Sequence, residues 1–293
     1  MRLPNASFFL FTFIVGNHTA MFQSVSSYFA TISSTHRSMI LASGLCFFWV
    51  LEWVLPLCRF SYHKTKHALL NIFFTLTTIL VNFSLAWALV ATSDWAVANQ
   101  VGLVQWLGAS AGISLLIGLP LLDLVGAYWV HSIEHRIKFL WKFHMVHHAD
   151  TYVDVTTANR HHPGESLLRA GFTILATLLV GAPVWLVLLY QSMSVVATQF
   201  NHANIQLPQW LDRMLGWVLV TPNMHRVHHH AFRPHTDSNY GNIFSFWDRL
   251  FGTHKNMSVE NIEYGLDVLD KTKHNDFSYQ LGLPFNKNIK TDY

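Results

Sequence analysis

The stretch HSIEHRIKFLWKFHMVHH, residues 131–148, places five histidines within eighteen residues of a chain that carries few charges. It contains a His-x-x-x-His spacing followed by a His-x-x-His-His spacing. Residues three or four positions apart share one face of a helix, so each group would aim two or three imidazoles at one point. Neutral imidazole is a ligand of iron, zinc, copper and nickel. The spacing therefore indicates a metal site.

The pattern recurs further along the chain. Residues 225–230 read His-Arg-Val-His-His-His, and further histidines stand at 161, 162 and 202. One zinc ion takes three or four protein ligands, and the regularly spaced histidines outnumber that. Their count instead suits two metal ions with four or five imidazoles each. These predicted ligands are His131, His135, His144, His147, His148, His202, His225, His228 and His229.

The composition is that of an integral membrane protein. Of 293 residues, 51% are hydrophobic and only 12% are charged, against about 25% charged in soluble domains. The net charge of +3 comes from scattered Lys and Arg without a basic run, so the sequence predicts no nucleic-acid binding. Cys46 and Cys58, twelve helical residues apart, would be separated by roughly 18 Å, too far for a disulfide.

Three stretches are long and apolar enough to cross a bilayer, at 39–57, 67–91 and 107–130. Lys and Arg follow the first and the third stretch and are absent from 92–106. By the positive-inside rule, segments 58–66 and 131–165 face the cytoplasm. The protein is thus predicted to be a multi-pass membrane protein with its histidine clusters on the cytoplasmic side.

A further apolar segment, 167–199, separates the first histidine clusters from His202. A single crossing would put His202 about 30 Å from them. Gly181-Ala182-Pro183 breaks the segment near its middle, so we expect a hairpin of helices 167–181 and 184–201 that returns His202 to the same side. The predicted fold is all-α, with about four to five membrane-embedded helices or hairpins and a cytosolic, histidine-rich helical cap.

We divide the chain into three parts. Residues 1–38 form an N-terminal segment whose apolar run at 8–15 is either a signal peptide or a short membrane helix. Residues 39–253 form one membrane-embedded domain that holds the histidines. Residues 254–293 form a polar tail of mixed charge.

Between about Asp123 and Thr253 the motifs resemble the fatty acid hydroxylase/sterol desaturase superfamily, the membrane proteins with histidine-rich di-iron centres. Besides the histidine spacings, the resemblance rests on Thr157-Ala158-Asn159-Arg160, His162-Pro163-Gly164-Glu165, Asn239-Tyr240-Gly241 and Trp247-Asp248-Arg249-Leu250-Phe251-Gly252-Thr253. The Thr-Pro-x-x-His-Arg-Val-His-His block that begins at Thr221 is most similar to the branch that contains alkylglycerol monooxygenase and bacterial sterol-desaturase-like proteins.

The resemblance implies that residues 39–253 are a di-iron hydroxylase domain, with the nine histidines as iron ligands. It implies O₂-dependent hydroxylation or desaturation of a lipid C–H bond, the lipid being of sterol, fatty acyl or glyceryl ether type. No electron-carrying domain is evident, so a separate protein or reductant would supply the electrons. His162 is a tenth candidate ligand, whereas His161 and His230 are expected to be neighbours of ligands. Ser132 stands where the family often has arginine.

Several charged residues are candidates for supporting the ligands. A carboxylate that accepts the distal N–H of an imidazole fixes its orientation, and Asp123, Asp237 and Asp248 are placed to do so. The alternatives are a structural contact of Asp123 with a tyrosine or arginine side chain, and capping of turns by Asp237 and Asp248. Arg226, between two predicted ligands, is expected to bind a carboxylate. Glu52, in the first apolar stretch, is expected to pair with a neighbouring helix.

Two other functions compete with the oxygenase. His131-Ser132-Ile133-Glu134-His135 matches the His-x-x-Glu-His pattern of zinc peptidases, with Glu134 as the base. A peptidase would leave most of the clustered histidines without a role. A metal transporter is the second alternative, but transport sites lie near the membrane midplane, whereas these histidines lie beyond the ends of the predicted spans.

Overall fold

The computed structural model describes residues 20–289. Within that range it contains helices and two isolated bridges, Pro56 with Ile205 and Leu219 with Phe244, and no β-strand. The predicted all-α class is confirmed. The apolar run at 8–15 lies outside the described residues, and residues 20–30 are helical.

The main helices are α1 (Ser34–Val54), α2 (Lys64–Ala98), α3 (Ala111–Arg136), α4 (Lys138–His148), α5 (Pro163–Val180), α6 (Val184–His202) and α7 (Pro222–His228). Shorter helical segments are Leu103–Trp106, Val155–Asn159, Gln209–Leu215, Phe246–Leu250, Val259–Asn261, Lys271–Lys273, Phe277–Gly282 and Leu283–Phe285.

Three helical spans are long and apolar enough to cross a membrane: Ser34–Val54, Lys64–Trp106 and Ala111–Arg136. On α1 and α2, large apolar side chains such as Trp53, Phe83 and Trp87 are exposed, as expected for helices that face lipid. The three spans agree with the three plain stretches of the sequence, although α2 extends beyond the predicted 67–91 at both ends. The total of four to five embedded helices or hairpins stays a prediction.

The third span is the central helix of the fold. Its residues Leu119, Leu122 and Val125 pack in one apolar cluster with α5 and α6. Two π-helical turns, Ser114–Gly118 and Leu124–Trp129, interrupt α3. Such turns are frequent at functional sites, and the second leads directly into the segment that carries His131.

The predicted hairpin is confirmed, with a corrected start. α5 ends at Val180, the next residue Gly181 adopts a left-handed conformation (φ 66°), and Pro183 precedes α6. α5 begins at Pro163 rather than at residue 167, because Pro163 occupies the first turn and the His162 side chain accepts a hydrogen bond from Gly164 N. α6 therefore carries His202 back to the end of the bundle where α4 lies.

The C-terminal segment packs across the outer side of α4. Leu266, Leu269 and Leu283 form a buried cluster with Trp141 and Met145 of α4. The polar composition of residues 254–293 gives no indication of these apolar contacts. Through them the segment covers one side of the histidine-bearing helix α4.

The turn of the hairpin touches the loop after α2 through two glycines. Gly102 has φ +98°, and a Cβ built on it would lie 2.2 Å from Gly181 N. Both the backbone conformation and the space therefore require glycine at this position.

We expect Gly102→Ala to destabilise the protein by about 1–3 kcal/mol, because the methyl group cannot be placed without moving the hairpin turn. Gly171→Ala is the matched control, since Gly171 lies within α5 with open space around it and alanine favours helix. Thermal unfolding in detergent would compare the two variants. Equal stability of Gly102→Ala and the wild type would contradict the packing of this turn.

Candidate metal centre

The nine regularly spaced histidines converge into two adjacent groups. In each group the possible ligand atoms all lie within 4.8 Å of one another. The five-histidine group consists of His131, His135, His144, His148 and His228, and the four-histidine group of His147, His202, His225 and His229. All nine side chains are buried, with at most 6% of any residue exposed.

Helical spacing decides which histidine joins which group. Pairs four residues apart stay together: 131 with 135, 144 with 148, and 225 with 229. In each His-x-x-His-His motif the remaining histidine joins the other group, since its position is rotated by about 100° from a neighbour on the helix. Each motif therefore aims two imidazoles, and not three, at one point. Each His-x-x-His-His motif contributes to both groups.

Hydrogen bonds outside the groups fix the tautomers of several imidazoles. The Nδ1–H of His131 donates to Tyr240 O at 2.9 Å, and that of His228 donates to Ser238 O at 2.7 Å. The Nδ1–H of His144 donates to a carboxylate oxygen of Glu165 at 2.7 Å. Because neutral imidazole carries one proton, the Nε2 atoms of these three residues are bare acceptors.

The bare nitrogens face one another. His144 Nε2 lies 3.1 Å from His131 Nε2 and 3.2 Å from His148 Nε2. Two ligands that bind one metal at right angles with bonds of about 2.1 Å are separated by about 3 Å. The facing acceptors of His131 and His144 have no proton to share, so the arrangement suits a cation between them.

In the four-histidine group, similar distances surround His202. Its Nε2 lies 3.1 Å from His147 Nε2 and 3.0 Å from His225 Nε2. The Nδ1–H of His202 donates to Thr198 O at 2.8 Å, which leaves its Nε2 bare. Both groups thus fit a metal ion by distance and by donor set.

Burial lowers the pKa of His144, His147 and His148 well below the ordinary value, and the neighbouring imidazoles lower it further. Burial likewise lowers the pKa of His225 and His229. These side chains are therefore neutral near pH 7, which is the form that binds metal.

Asp237 is the predicted supporting carboxylate that contacts a histidine. Its Oδ1 lies 3.2 Å from His135 Nδ1. Asp248 acts one step away: it accepts hydrogen bonds from the backbone N–H of Tyr240 and Gly241. It thereby holds the turn whose Tyr240 O accepts from His131.

The expected contacts of Asp123 with an imidazole, or with a tyrosine or arginine side chain, are wrong. Asp123 accepts hydrogen bonds from the backbone N–H of Ile243 and Phe244, both at 3.2 Å. Eight residues before His131 on α3 is about 12 Å along the helix, so another segment reaches the carboxylate first. Its role is to fix the loop after Tyr240.

The expectation that Arg226 binds a carboxylate is also wrong. Its guanidinium donates to Ala203 O, to Asn204 Oδ1 and to the Tyr264 hydroxyl. Arg226 therefore ties the end of α6 and the C-terminal segment to α7. The Glu52 carboxylate already has other hydrogen-bond donors.

Glu52 pairs between segments as expected. It accepts from Lys64 Nζ at 2.5 Å and from the backbone N–H of Val155 and Asn204. Cys46 and Cys58 are both free thiols, in agreement with the predicted absence of a disulfide.

His162 lies outside both groups. Its Nδ1 accepts from Gly164 N and caps α5, and its ring contacts Phe143 and Phe285. His161 is a neighbour, as expected: its ring stacks on that of His147 with centroids 4.7 Å apart. His230 Nδ1 accepts from the backbone N–H of Glu263 in the C-terminal segment.

Glu165 is a supporting residue that the sequence analysis missed. One of its oxygens accepts from His144, from His161 and from Arg169. The sequence carries a signal for it, because Glu165 closes the His-Pro-x-Glu motif. Arg169 also binds Glu134 at 2.6 Å, so the two glutamates and the arginine form one buried cluster behind His144.

A second missed network lies beside α4. Asp150 contacts His67 Nε2 at 2.8 Å and accepts from Thr157. Burial alone would raise the pKa of Asp150, but His67 and Arg160 outweigh it and hold the pKa well below its usual range. No spacing rule links His67, near the start of α2, to a residue eighty-three positions later.

The geometry agrees with what comparison with known proteins finds. Residues 115–253, which include all nine grouped histidines, match the model of the fatty acid hydroxylase family. The resemblance predicted from the motifs is confirmed by this match.

The names of several curated relatives describe enzymes that act on lipids. The ornithine lipid hydroxylase of Rhizobium tropici is 26% identical over 60% of this chain and 51% of that protein. Alkylglycerol monooxygenase of Danio rerio is 33% identical over 48% of this chain and 30% of that protein. A cholesterol 25-hydroxylase-like protein of Danio rerio is 28% identical over 51% and 61%, respectively. The chain thus spans between about a third and two thirds of these relatives' lengths, and no solved structure matches it.

Removal of the Glu165 carboxylate should weaken metal binding by the five-histidine group. We expect Glu165→Ala to lower its affinity for Co²⁺ about 10–100-fold, because His144 loses the acceptor that orients it. Glu260→Ala, at an exposed glutamate, is the control. Titration followed by the visible absorption of Co²⁺ measures both. Unchanged binding in Glu165→Ala would refute the supporting role.

Acid should destabilise the metal-free protein. Histidines whose pKa is lowered by folding stay neutral in the folded state but take up protons in the unfolded chain below about pH 6.5. Their contribution is therefore intact above about pH 6.5 and is lost as the pH falls below it. Urea midpoints of the metal-free protein measured on either side of that pH should decrease on acidification. A rise in stability on acidification would contradict neutral buried imidazoles.

Proposed function

We propose that this chain is a membrane-bound di-iron oxygenase that hydroxylates or desaturates a C–H bond of a lipid, using O₂ and electrons from a separate donor. The match to the fatty acid hydroxylase family model and the lipid hydroxylases among the relatives support lipid hydroxylation. The finer assignment rests mainly on one observation: two adjacent buried groups of imidazoles whose Nε2 atoms approach one another to 3.0–3.2 Å, those of His131, His144 and His202 being bare.

In this proposal each histidine group holds one iron. Imidazole is a borderline ligand that suits iron as well as zinc, but a five-imidazole set exceeds the ligand number of a zinc site. Bound iron would supply the activation of O₂ for attack on a C–H bond, with the protein supplying binding and orientation. His162 is not included among the ligands, because it caps α5.

The protein's own residues prepare this site in two ways. Backbone carbonyls of Tyr240 and Ser238, with Glu165 and Asp237, accept from the Nδ1–H groups and fix the ring orientations. Complete burial keeps bulk water from the groups, which protects a reactive site from side reactions. The supporting contacts come from segments far apart in sequence, so the site requires the whole fold.

The peptidase alternative has no support from Glu134. Its Oε2 binds Arg169 at 2.6 Å and lies 3.9 Å from His144 Nδ1. This is the outer side of the ring, away from the Nε2 atoms. A general base must reach a metal-bound water, whereas the Glu134 carboxylate binds Arg169 on the side of His144 away from the Nε2 atoms.

The transporter alternative has no support either. His131 and His135 lie in the last turns of the third candidate span, and the other seven grouped histidines lie outside all three candidate spans. A transport site near the midplane would need ligands within them. The candidate metal centre instead lies at one end of the spanning helices.

We propose that this end faces the cytoplasm. Arg59 lies between α1 and α2, and Lys66 lies in the first turn of α2. Arg136 ends the third span, and Lys138 and Lys142 follow it. Both placements agree with the positive-inside rule. We further propose residues 39–253 as the catalytic domain, with 1–38 as a separate N-terminal segment and 254–293 as a tail that covers α4.

The substrate is proposed to be a lipid with a polar end and a long apolar part. The names of the relatives mention an ornithine lipid, an alkylglycerol and cholesterol. Sterol, fatty acyl and glyceryl ether lipids share this division, and it is the feature that a membrane enzyme can recognise from the bilayer.

Expression in a host that lacks the activity should yield a lipid that has gained one oxygen atom or lost two hydrogen atoms. Mass spectrometry of lipid extracts detects either change. His135→Ala and His225→Ala, one from each group, should both abolish the product, because each removes a ligand of one of the two irons. Glu134→Gln should retain product.

A lipid profile identical to that of the empty host, with iron-loaded protein present, would contradict the oxygenase. Loss of a peptidase activity in Glu134→Gln would favour the zinc alternative.

A further inference from the structure

An apolar cavity of about 420 Å³ lies between α1, α6 and the backbone segments around residues 219–220 and 243. Its size falls within the usual range of ligand pockets, about 300–1,000 Å³. Ile40 and Phe48 line it from α1, and Ser192, Ala197 and Phe200 are among the residues that line it from α6. No residue of the two histidine groups lines it.

The lining residues extend along α1 and α6, and these two helices run in the same direction here. Arg37 of α1 binds Gln191 of α6, and further along the ring of Phe48 lies 5.9 Å from that of Phe200. Ile40 to Phe48 and Ser192 to Phe200 each span eight residues, or about 12 Å of helix. The cavity thus has a far end at Ile40 and Ser192 and a near end at Phe48 and Phe200.

The near end adjoins the segments that carry metal-ligand candidates. Phe200 precedes His202 by two residues on α6. Val220, which also lines the cavity, directly precedes Thr221, whose side chain caps α7. α7 bears His225 and His228. The far end lies in the part of α1 that is long and apolar enough to cross a membrane.

The cavity offers nothing for a polar group to bind. Ser192 is the single polar side chain among the lining residues, and its hydroxyl donates to Leu188 O. Water needs two to four polar partners to occupy such a space. Val196, one of the lining residues, is 39% exposed, so the cavity is open to the surface there. The occupant is therefore hydrocarbon that can enter from the surrounding lipid.

We propose that this cavity holds the hydrocarbon end of the lipid substrate, an inference that rests on the proposed function. The apolar terminus lies at Ile40 and Ser192, and the carbon to be oxidised lies at the Phe200 and Val220 end. The polar end of the lipid stays outside the cavity. The length of the cavity then limits how much hydrocarbon lies beyond the oxidised carbon, so Ser192 and Ile40 set chain-length specificity.

Photolabelling without turnover tests the proposal. The iron-loaded protein, in phosphatidylcholine nanodiscs and without O₂, is irradiated with a long-chain fatty alcohol that carries a diazirine at its terminal carbon. We expect crosslinks at the far end of the cavity, around Ile40 and Ser192. Ala197→Trp should reduce them roughly tenfold or more, because the indole displaces several methylene groups. Leu179→Trp, at an exposed position of α5, should not.

Ser192→Phe supplies an independent test should Ala197→Trp fail to fold or to retain iron. It fills the far end alone, so labelling by the long probe should fall while a shorter probe labels as well as in the wild type. Crosslinks confined to lipid-facing residues such as Phe83 and insensitive to both cavity variants would overturn the proposal. Because no oxidation is needed, cavity labelling in a protein that yields no oxidised lipid would refute the oxygenase and leave the cavity assignment standing.

Discussion

The structure depends on one electrostatic constraint: the bare Nε2 atoms of His131 and His144 face each other at 3.1 Å inside a buried site, where other imidazole nitrogens also approach to 3.0–3.2 Å. Protonation cannot relieve the constraint, because burial and neighbouring imidazoles disfavour the charged form. Buried acceptors without donors are costly. A cation between the nitrogens would convert the same geometry from a penalty into a binding site, and it would hold together the four helices that supply the candidate ligands.

The rest of the fold can be understood as the means of bringing those helices together. The α5–α6 hairpin returns His202 to the end where α4 and α7 lie, and the turn at Gly181 is fixed against Gly102. Asp123 and Asp248 bind backbone amides on either side of the loop 240–244, so that Tyr240 O meets His131. These carboxylates shape the metal centre through the backbone rather than by touching a ligand.

Much of this could be predicted from the sequence because it depends on local periodicity. Apolar length identified the three spans, the Gly-Ala-Pro break identified the hairpin, and the histidine spacings identified the nine residues that the structure groups. Helical phase could also have assigned each histidine to its group, because partners four residues apart stay together. What the sequence could not supply are contacts between distant segments. The pairing of Asp150 with His67, the loop bound by Asp123, the tail bound by Arg226 and the cavity between α1 and α6 all depend on how the helices pack.

Mössbauer spectroscopy of protein grown on iron-57 would show whether the two histidine groups hold two iron ions. We expect about two irons per chain, in nitrogen-rich sites, coupled to each other and oxidised when O₂ is added to the reduced protein. A single tightly held zinc, with no iron retained from cells handled without O₂, would contradict this expectation.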